Sequence, residues 1–97
     1  MPMLETLDEG DLIAALATLP DWRVAADRPA IARDFRFADF SAAFGFMARA
    51  ALEAERLDHH PEWSNVYNRV CVLLTTHDAG GITQRDIDLA RRLDTLT

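Results

Sequence analysis

The chain has 97 residues and a net charge of −6, and its length fits one small domain, which we expect to span residues 1–97. Proteins that bind nucleic acid duplexes are usually basic, so the negative charge argues against nucleic acid as a partner. No apolar run approaches the ~18 residues of a membrane helix, and Met1–Glu9 shows no signal peptide, so we expect no membrane association and a cytoplasmic location. Cys71, the single cysteine, excludes an intrachain disulfide and a CxxC motif.

The first predicted elements are a helix followed by two strands. Thr6 and Glu9 have the spacing of a capping box, and leucines at helical spacing follow them. A short strand is predicted over Trp22–Ala26, before a turn that contains a proline. Over Ile31–Phe37 apolar and polar residues alternate, which is typical of a strand with one buried face, although Arg33 interrupts that face.

The second predicted helix runs from its N-cap, Asp39, to about Asp58. Its apolar stripe is predicted to face the core and consists of Phe40, Phe44, Met47 and Ala51. At about 100° per residue, Asp58 lies on the axis of this stripe and Glu55 lies close to it. Negative charge in the last turn opposes the helix macrodipole, so the two carboxylates indicate either a functional site or simple exposure of the helix end.

The second half of the chain predicts a hairpin and a last helix. The segment Ser64–Thr76 favours two strands, with the turn at Asn68-Arg69. Thr83 is predicted to cap the last helix, with Asp86 completing a capping box. The order α-β-β-α-β-β-α, with the strands in hairpin pairs, predicts an α+β fold with a four-stranded antiparallel sheet and three helices packed on one face.

All three histidines lie at predicted element boundaries: His59 and His60 follow the second helix, and His77 ends the last strand. A cationic histidine at a helix C-terminus can simply offset the macrodipole by ~0.3–1 kcal/mol, so position alone does not establish a site. Histidines with nearby carboxylates also suit zinc, but no HxH or HExxH spacing occurs, and we expect no metal. A serine hydrolase is less favoured still, because neither Ser41 nor Ser64 lies in a GxSxG elbow.

Two further residues have both a structural and a functional interpretation. Asp86 shares a helical face with core leucines and so points toward the core, but its place in the capping box already explains a carboxylate there. Trp63 follows the histidine pair closely. It is either a core aromatic, which is the commoner role, or a ring that lies against a flat heterocycle at the mouth of a pocket.

Three stretches of the chain match the sequence pattern of a known family. They are DHHPEWSNVYN at 58–68, preceded by Glu55, LTTHDAGGITQRDIDLA at 74–90, and IARDFRFADF at 31–40, preceded by Trp22. Together they resemble the pterin-4a-carbinolamine dehydratases from about Trp22 to about Asp94, with no departure at a motif position. The first helix is the part least similar to the family.

The resemblance implies an activity, a fold and a set of site residues. Members of the family convert 4a-hydroxytetrahydropterin, which aromatic amino acid hydroxylases release, to quinonoid dihydropterin and water. They have a four-stranded antiparallel sheet with three helices on one face, need no metal or organic cofactor, and form homodimers or homotetramers. Some animal members are also transcriptional coactivators that bind a homeodomain factor. By this resemblance the catalytic residues are His59, His60 and His77, and the residues that bind or support the substrate are Glu55, Asp58, Trp63 and Asp86.

The histidines suit the chemistry that the resemblance implies. Dehydration of a carbinolamine needs one proton removed from a ring nitrogen and another given to the leaving hydroxyl, and imidazole, with an unperturbed pKa of ~6.5, does either near neutral pH. We expect His60 to be the principal base and His59 and His77 to bind the hydroxyl and supply its proton. The rival interpretations are a non-catalytic dimerisation or coactivator module that retains the fold, and a metal-dependent hydrolase.

Overall fold

The computed structural model describes residues 5–97, so part of the Met1–Glu9 segment lies outside the described residues. Its elements follow the order that the sequence predicts. The helices are α1 (Glu9–Ala17), α2 (Phe40–Leu57) and α3 (Gln84–Asp94), and the strands are β1 (Arg23–Val24), β2 (Ile31–Arg36), β3 (Glu62–Val66) and β4 (Arg69–Leu74). A short 3₁₀ helix, His77–Ala79, lies between β4 and α3. No helix within the described part of the chain is long and apolar enough to cross a membrane.

The strands form one antiparallel sheet of four in the order β1-β2-β4-β3. β2 and β4 pair in its centre, where Ile31 lies opposite Leu74 and Phe35 lies opposite Val70. Since side chains alternate between the two faces of a strand, these residues and Val72 share one face, and all of them are buried. They form one core with α2 and α3, and α1 packs against it with partly buried side chains. The predicted α+β fold is therefore confirmed.

The start of α1 differs from the prediction. The N-cap is Asp8, whose side chain accepts a hydrogen bond from the backbone N–H of Asp11 at 2.7 Å. The predicted capping box that begins at Thr6 is therefore wrong. The backbone before the helix is engaged elsewhere, because the N–H of Leu7 donates to the carbonyl of Ile82 at 2.9 Å. This bond holds the segment before α1 against the loop that precedes α3.

The side of α2 that faces the core also differs from the predicted one. Met47 of the predicted stripe is half-buried and the other residues of the stripe are exposed, Phe40 by 49% and Phe44 by 56%. The side chains that are buried instead are those of Ala43, Phe46, Ala50 and Ala54. The alanines let the helix lie close to its neighbours, and the ring of Phe46 packs with its centroid 4.5 Å from that of Phe35. Small residues make the close contact between α2 and its neighbours, so the positions of the large apolar side chains do not show which face of the helix is buried.

The two carboxylates at the end of α2 are therefore not at the end of a buried face. Asp39 is the N-cap of the helix, as predicted, and accepts from the N–H of Ala42 at 2.8 Å. Asp58 and Glu55 are both exposed. The end of the helix is therefore exposed, and a role of these two carboxylates in a functional site stays a prediction.

The arginine that interrupts the buried face of β2 belongs to an ion pair. The Nη1 of Arg33 lies 2.5 Å from Oδ1 of Asp94, and its guanidinium lies 4.1 Å from the centroid of the Phe35 ring. The same carboxylate oxygen accepts a hydrogen bond from Nε1 of Trp22 at 2.8 Å. Trp22 is thus a buried residue ahead of β1, which covers only two residues and is shorter than predicted.

The turn between β3 and β4 lies one residue earlier than predicted. Val66 pairs with Arg69, so the turn residues are Tyr67 and Asn68. Tyr67 has φ 51°, a positive value of the kind that two-residue hairpin turns need at their first position. The side-chain amide of Asn65 donates to the carbonyls of Tyr67 and Arg69 at 3.1 and 2.8 Å and so holds this turn in place.

Candidate active site

A cleft of about 500 Å³ opens where α2 ends, β3 begins and the chain leaves β4. His59, His60 and His77 all line it. Around them lie acidic, hydroxyl and basic side chains, namely Asp58, Glu62, Thr75, Thr76, Asp78 and Arg85. The histidines that the sequence places at element boundaries therefore share one concave surface.

The end of α2 positions the first two histidines. Asp58 has left-handed backbone angles, φ 50° and ψ 45°, and its N–H donates to the carbonyl of Glu55 at 3.1 Å. The N–H of His59 donates to the carbonyl of Ala54 at 3.0 Å. These two bonds form a Schellman motif, and aspartate tolerates the left-handed region better than most residues other than glycine. The reversal turns His59 inward, where it is 7% exposed, and leaves His60 at the surface.

A buried carboxylate at the start of α3 holds His59. Its Nε2 contacts Oδ1 of Asp86, a residue that is fully buried. The other oxygen, Oδ2, accepts hydrogen bonds from the N–H of Thr83 and the hydroxyl of Thr76, both at 2.9 Å. The two threonine hydroxyls are themselves 2.7 Å apart. The predicted capping box of Thr83 and Asp86 is confirmed, and the same carboxylate also orients a histidine.

The contact with Asp86 occupies one of the two ring nitrogens of His59, Nε2. With Asp86 ionised, every contact to its two oxygens is donated, and the one from His59 comes from Nε2–H. In a neutral ring the lone pair then lies on Nδ1. Nδ1 is therefore the nitrogen of His59 that can accept or deliver a proton while the contact to Asp86 persists.

The other two histidines have the same kind of partner at the surface. The Nε2 of His60 lies 2.5 Å from Oε1 of Glu55, and the Nε2 of His77 lies 2.8 Å from Oε2 of Glu62. Both histidine side chains are exposed, by 60% and 71%. Each histidine of the cleft thus has its Nε2 against a different carboxylate, which leaves its Nδ1 for exchange with a bound molecule.

Glu62 is also paired with Arg28, from the connection between β1 and β2. The Nη1 and Nη2 of Arg28 donate to Oε1 and Oε2 of Glu62 at 2.9 and 2.7 Å, which is a two-bond fork. The hydrogen bond from Arg28, followed by the one from His77, lowers the pKa of the Glu62 carboxyl from 4.5 to about 2. Glu62 therefore stays ionised at neutral and mildly acidic pH.

The remaining predicted site residues relate to the cleft in different ways. Asp58 lines it, and Glu55 and Asp86 reach it through the histidines that they contact. Trp63 does not line the cleft; it is half-buried and packs against the core. Successive side chains of a strand lie on opposite faces, so Glu62 beside the cleft places Trp63 on the helix-covered face. Contact between Trp63 and a substrate stays a prediction.

Four residues at or beside the cleft were not among the predicted site residues, namely Arg28, Glu62, Thr76 and Arg85. Glu62, Thr76 and Arg85 lie within the stretches that resemble the family, and this is the signal that could have pointed to them. Arg28 is separated from Glu62 by 34 positions. An arginine in a turn has no feature that links it to a distant histidine, so only the fold reveals this contact.

The described residues that line the cleft do not form a metal site. Within residues 5–97, no three histidine, cysteine or acidic side chains are arranged to hold a metal ion. The Nε2 of each histidine faces a carboxylate of its own instead. That the purified protein carries no metal stays a prediction.

Comparison with known proteins relates this chain to a family. The family model described as Pterin 4 alpha carbinolamine dehydratase matches residues 5–96. A protein of Rhodopseudomonas palustris is 61% identical over 94 residues, which cover 97% of this chain and 93% of that protein. One of Rhizorhabdus wittichii is 56% identical over 93 residues, which cover 96% of each. Both carry the provisional name pterin-4-alpha-carbinolamine dehydratase.

A solved structure shows the same fold. A crystal structure from Brucella melitensis has a TM-score of 0.92 at 52% sequence identity and covers 95% of this chain and 98% of its own. That protein is described as a transcriptional coactivator/pterin dehydratase. The fold and the cleft define a small α+β protein with a histidine-lined site. The chain belongs to the pterin 4 alpha carbinolamine dehydratase family, a family of enzymes, which confirms the resemblance of its motifs.

Proposed function

We propose that this protein removes water from a 4a-hydroxytetrahydropterin and releases quinonoid dihydropterin, with histidines as the acid and the base. The observation that carries the proposal is one cleft lined by His59, His60 and His77, each paired through Nε2 with a different carboxylate. Membership of the family and the names of the relatives supply the substrate class.

The reaction moves two protons and breaks one carbon–oxygen bond. A base takes the proton from the ring nitrogen next to the carbon that bears the hydroxyl. The electron pair of that N–H bond forms a C=N bond as the C–O bond breaks, and the hydroxyl leaves as water after an acid has protonated it. Imidazole, with an unperturbed pKa of ~6.5, fills either role near neutral pH.

The surroundings of the histidines support a division of roles. His60 is the principal base: it is exposed, and Glu55 at 2.5 Å stabilises the imidazolium that forms when the ring accepts a proton. His59 and His77 bind the hydroxyl and protonate it. His59 is buried and held by Asp86, and a fixed donor suits the binding of a leaving group.

The proposed reaction belongs to tetrahydropterin recycling, after an aromatic amino acid hydroxylase has produced the hydroxypterin. We further propose that the protein works as a homodimer or homotetramer. Two features support self-association. β3 is an edge strand of the sheet, and edge strands invite pairing. On α2 the large apolar side chains of Phe40, Phe44 and Leu52 are exposed.

A non-catalytic coactivator or dimerisation module that retains the fold is the second candidate. The Brucella melitensis protein is described as both coactivator and dehydratase, and the exposed apolar residues of α2 suit a protein partner. The complete set of three histidines, each with a carboxylate, favours the enzyme. A protein without the activity has no need to keep all of them.

The test is a dehydration assay. An aromatic amino acid hydroxylase generates the 4a-hydroxytetrahydropterin in situ, and the formation of quinonoid dihydropterin is followed with and without this protein. We expect an acceleration that scales with protein concentration and is lost when His59, His60 and His77 are all replaced by alanine in a protein that remains folded. An unchanged rate with folded wild-type protein would refute the dehydratase and favour the coactivator module.

A further inference from the structure

The ion pair between Arg28 and Glu62 takes no part in the chemistry proposed above, but the carboxylate of Glu62 also contacts a histidine of the cleft, His77. Oε2 of Glu62 accepts a hydrogen bond from Nη2 of Arg28 at 2.7 Å and lies 2.8 Å from Nε2 of His77. Oε1 of Glu62 accepts from Nη1 of Arg28 at 2.9 Å. Three distant parts of the chain, the β1–β2 connection, the start of β3 and the 3₁₀ helix after β4, thus meet at one carboxylate.

We infer that Arg28 and Glu62 are positioning residues that fix the ring orientation and the tautomer of His77, an inference that rests on the proposed function, in which His77 protonates the leaving hydroxyl. Glu62 holds the Nε2 of His77, and Arg28 holds Glu62. Neither residue needs to touch the substrate for this role.

His77 has less support from its own surroundings than His59. Its side chain is 71% exposed, and it lies in the three-residue 3₁₀ helix, which is followed by Gly80 with a φ of 78° in the left-handed region. His59 is buried instead, against a buried carboxylate. An exposed ring on a short segment samples several rotamers, and a misplaced acid group loses much of its catalytic effect. A partner that selects one rotamer therefore matters most at His77.

Arg28 explains how a surface carboxylate can hold the ring of His77 in one orientation. Ordinary surface ion pairs are weak because two flexible side chains must both be held in one geometry. The planar guanidinium of Arg28 binds both oxygens of Glu62, which fixes the plane of the carboxylate and so the place of Oε2. The hydrogen bond from Arg28 is the main cause, ahead of the one from His77, that lowers the pKa of Glu62 to about 2, so the carboxylate remains an acceptor without a proton at neutral pH.

A partner that only accepts determines the tautomer of the ring. Nε2 of His77 must carry the hydrogen that it donates to Glu62, and Nδ1 holds the lone pair of the neutral ring. When the ring is protonated, the proton on Nδ1 passes to the leaving hydroxyl and the bond from Nε2 to Glu62 persists. The products of this step are water and a neutral imidazole that is already in the Nε2–H form.

Three variants test the inference through turnover. Glu62→Gln keeps the size of the side chain, but its amide can either donate to Nε2 of His77 or accept from it. We therefore expect kcat to fall about tenfold, with little change in KM. This loss is smaller than the ~10²–10⁴-fold that a complete acid or base contributes. Arg28→Lys keeps the charge without the fork and should lose less. Arg23→Gln is the matched control, because it removes an exposed pair with Asp34 at 3.6 Å outside the cleft, and it should keep the wild-type kcat.

The route through the histidine is tested in a second background. If Glu62 acts through His77, Glu62→Gln should lower kcat no further once His77 is alanine. The same tenfold loss in the His77→Ala background would overturn the inference and make Glu62 a residue that touches the substrate itself.

A measurement without turnover separates this inference from the proposed function. Nitrogen NMR of the His77 imidazole, recorded on the neutral ring, reports which nitrogen carries the hydrogen. We expect Nε2–H in the wild-type protein and a mixture with Nδ1–H in Glu62→Gln. Identical spectra would overturn the inference even if the protein is a dehydratase. The expected change in a protein that does not accelerate dehydration would uphold the positioning role and refute the proposed function.

Discussion

Asp86→Asn separates the two contacts of the buried carboxylate at the start of α3. In the native protein Oδ2 accepts from Thr83 and Thr76, and Oδ1 contacts Nε2 of His59. Asparagine has nearly the same shape, and its single oxygen can take the place of Oδ2 and keep the cap. The amide NH₂ then faces His59. Because that group donates, Nε2 has to accept, and the hydrogen of the neutral ring moves to Nδ1.

The expected effect on stability is modest, since the capping bonds remain. The negative charge at the N-terminus of α3 is lost, at ~0.3–1 kcal/mol, and a charged hydrogen bond becomes a neutral one, at ~1 kcal/mol. A total of ~1–2 kcal/mol lowers Tm by roughly 5–15 °C in a domain of this size. The effect on turnover is larger, because Nδ1 of the neutral ring now carries the hydrogen and cannot accept a proton, and a protonated ring would place its Nε2–H against the donating amide. We expect kcat to fall ~10-fold or more, short of the ~10²–10⁴-fold of a complete acid or base.

Thermal unfolding gives the Tm, and the dehydration assay gives kcat. Asp39→Asn is the matched control, since Asp39 caps α2 through the N–H of Ala42 at 2.8 Å and does not line the cleft. Aspartate and asparagine are nearly equivalent as N-caps, so this variant should keep both its Tm and its kcat. A folded Asp86→Asn protein whose kcat is within about twofold of the wild type would refute the role of Asp86 in fixing His59.

Three further predictions concern metal, charge and assembly. Elemental analysis should find no stoichiometric zinc, and activity that is lost with a chelator and restored by zinc would contradict the acid/base account. Carbon NMR should give the Glu62 carboxyl a pKa of about 2, and Arg28→Gln should raise it toward 4.5, because the bond from Arg28 is the main cause of the lowering. Equal pKa values of Glu62 in the wild type and in Arg28→Gln would contradict this prediction. Since folding lowers the pKa of Glu62, the stabilisation from the pair of Arg28 and Glu62 is present above pH 4.5 and is lost as the pH falls toward about 2. Light scattering at micromolar concentration should give at least the mass of a dimer, and a monomer mass would refute the proposed assembly.

Features whose geometry depends on residues nearby in the sequence could be predicted from the sequence. Asp39 and Thr83 cap their helices as predicted, because a side-chain acceptor close to an unpaired N–H is a local feature. The alternation of β2 also places Phe35 in the core as predicted. The hairpin turn lies one residue earlier than predicted, because Tyr67 takes the first turn position ahead of Asn68. The preference of asparagine for turns does not state which turn position it occupies.

Features that depend on tertiary contacts could not be predicted in the same way. Apolar side chains lie on both sides of α2, and only the packing shows that Phe46 is buried while Phe44 is exposed. The histidines of the cleft were predicted, since they lie in conspicuous motifs. The contact between Arg28 and Glu62 joins positions 34 residues apart and depends on how the β1–β2 connection folds, so no sequence pattern carries it.

The turnover number of His60→Ala, measured beside His59→Ala and His77→Ala, tests the central claim most directly. We expect His60→Ala to lower kcat by ~10²-fold or more, as for a general base, with a Tm close to the wild type because no large apolar group is lost. The other two variants should lose less, and their combination should lose less than the product of the single effects. A folded His60→Ala protein with nearly wild-type kcat, while His59→Ala or His77→Ala abolishes activity, would contradict the assignment of His60 as the base.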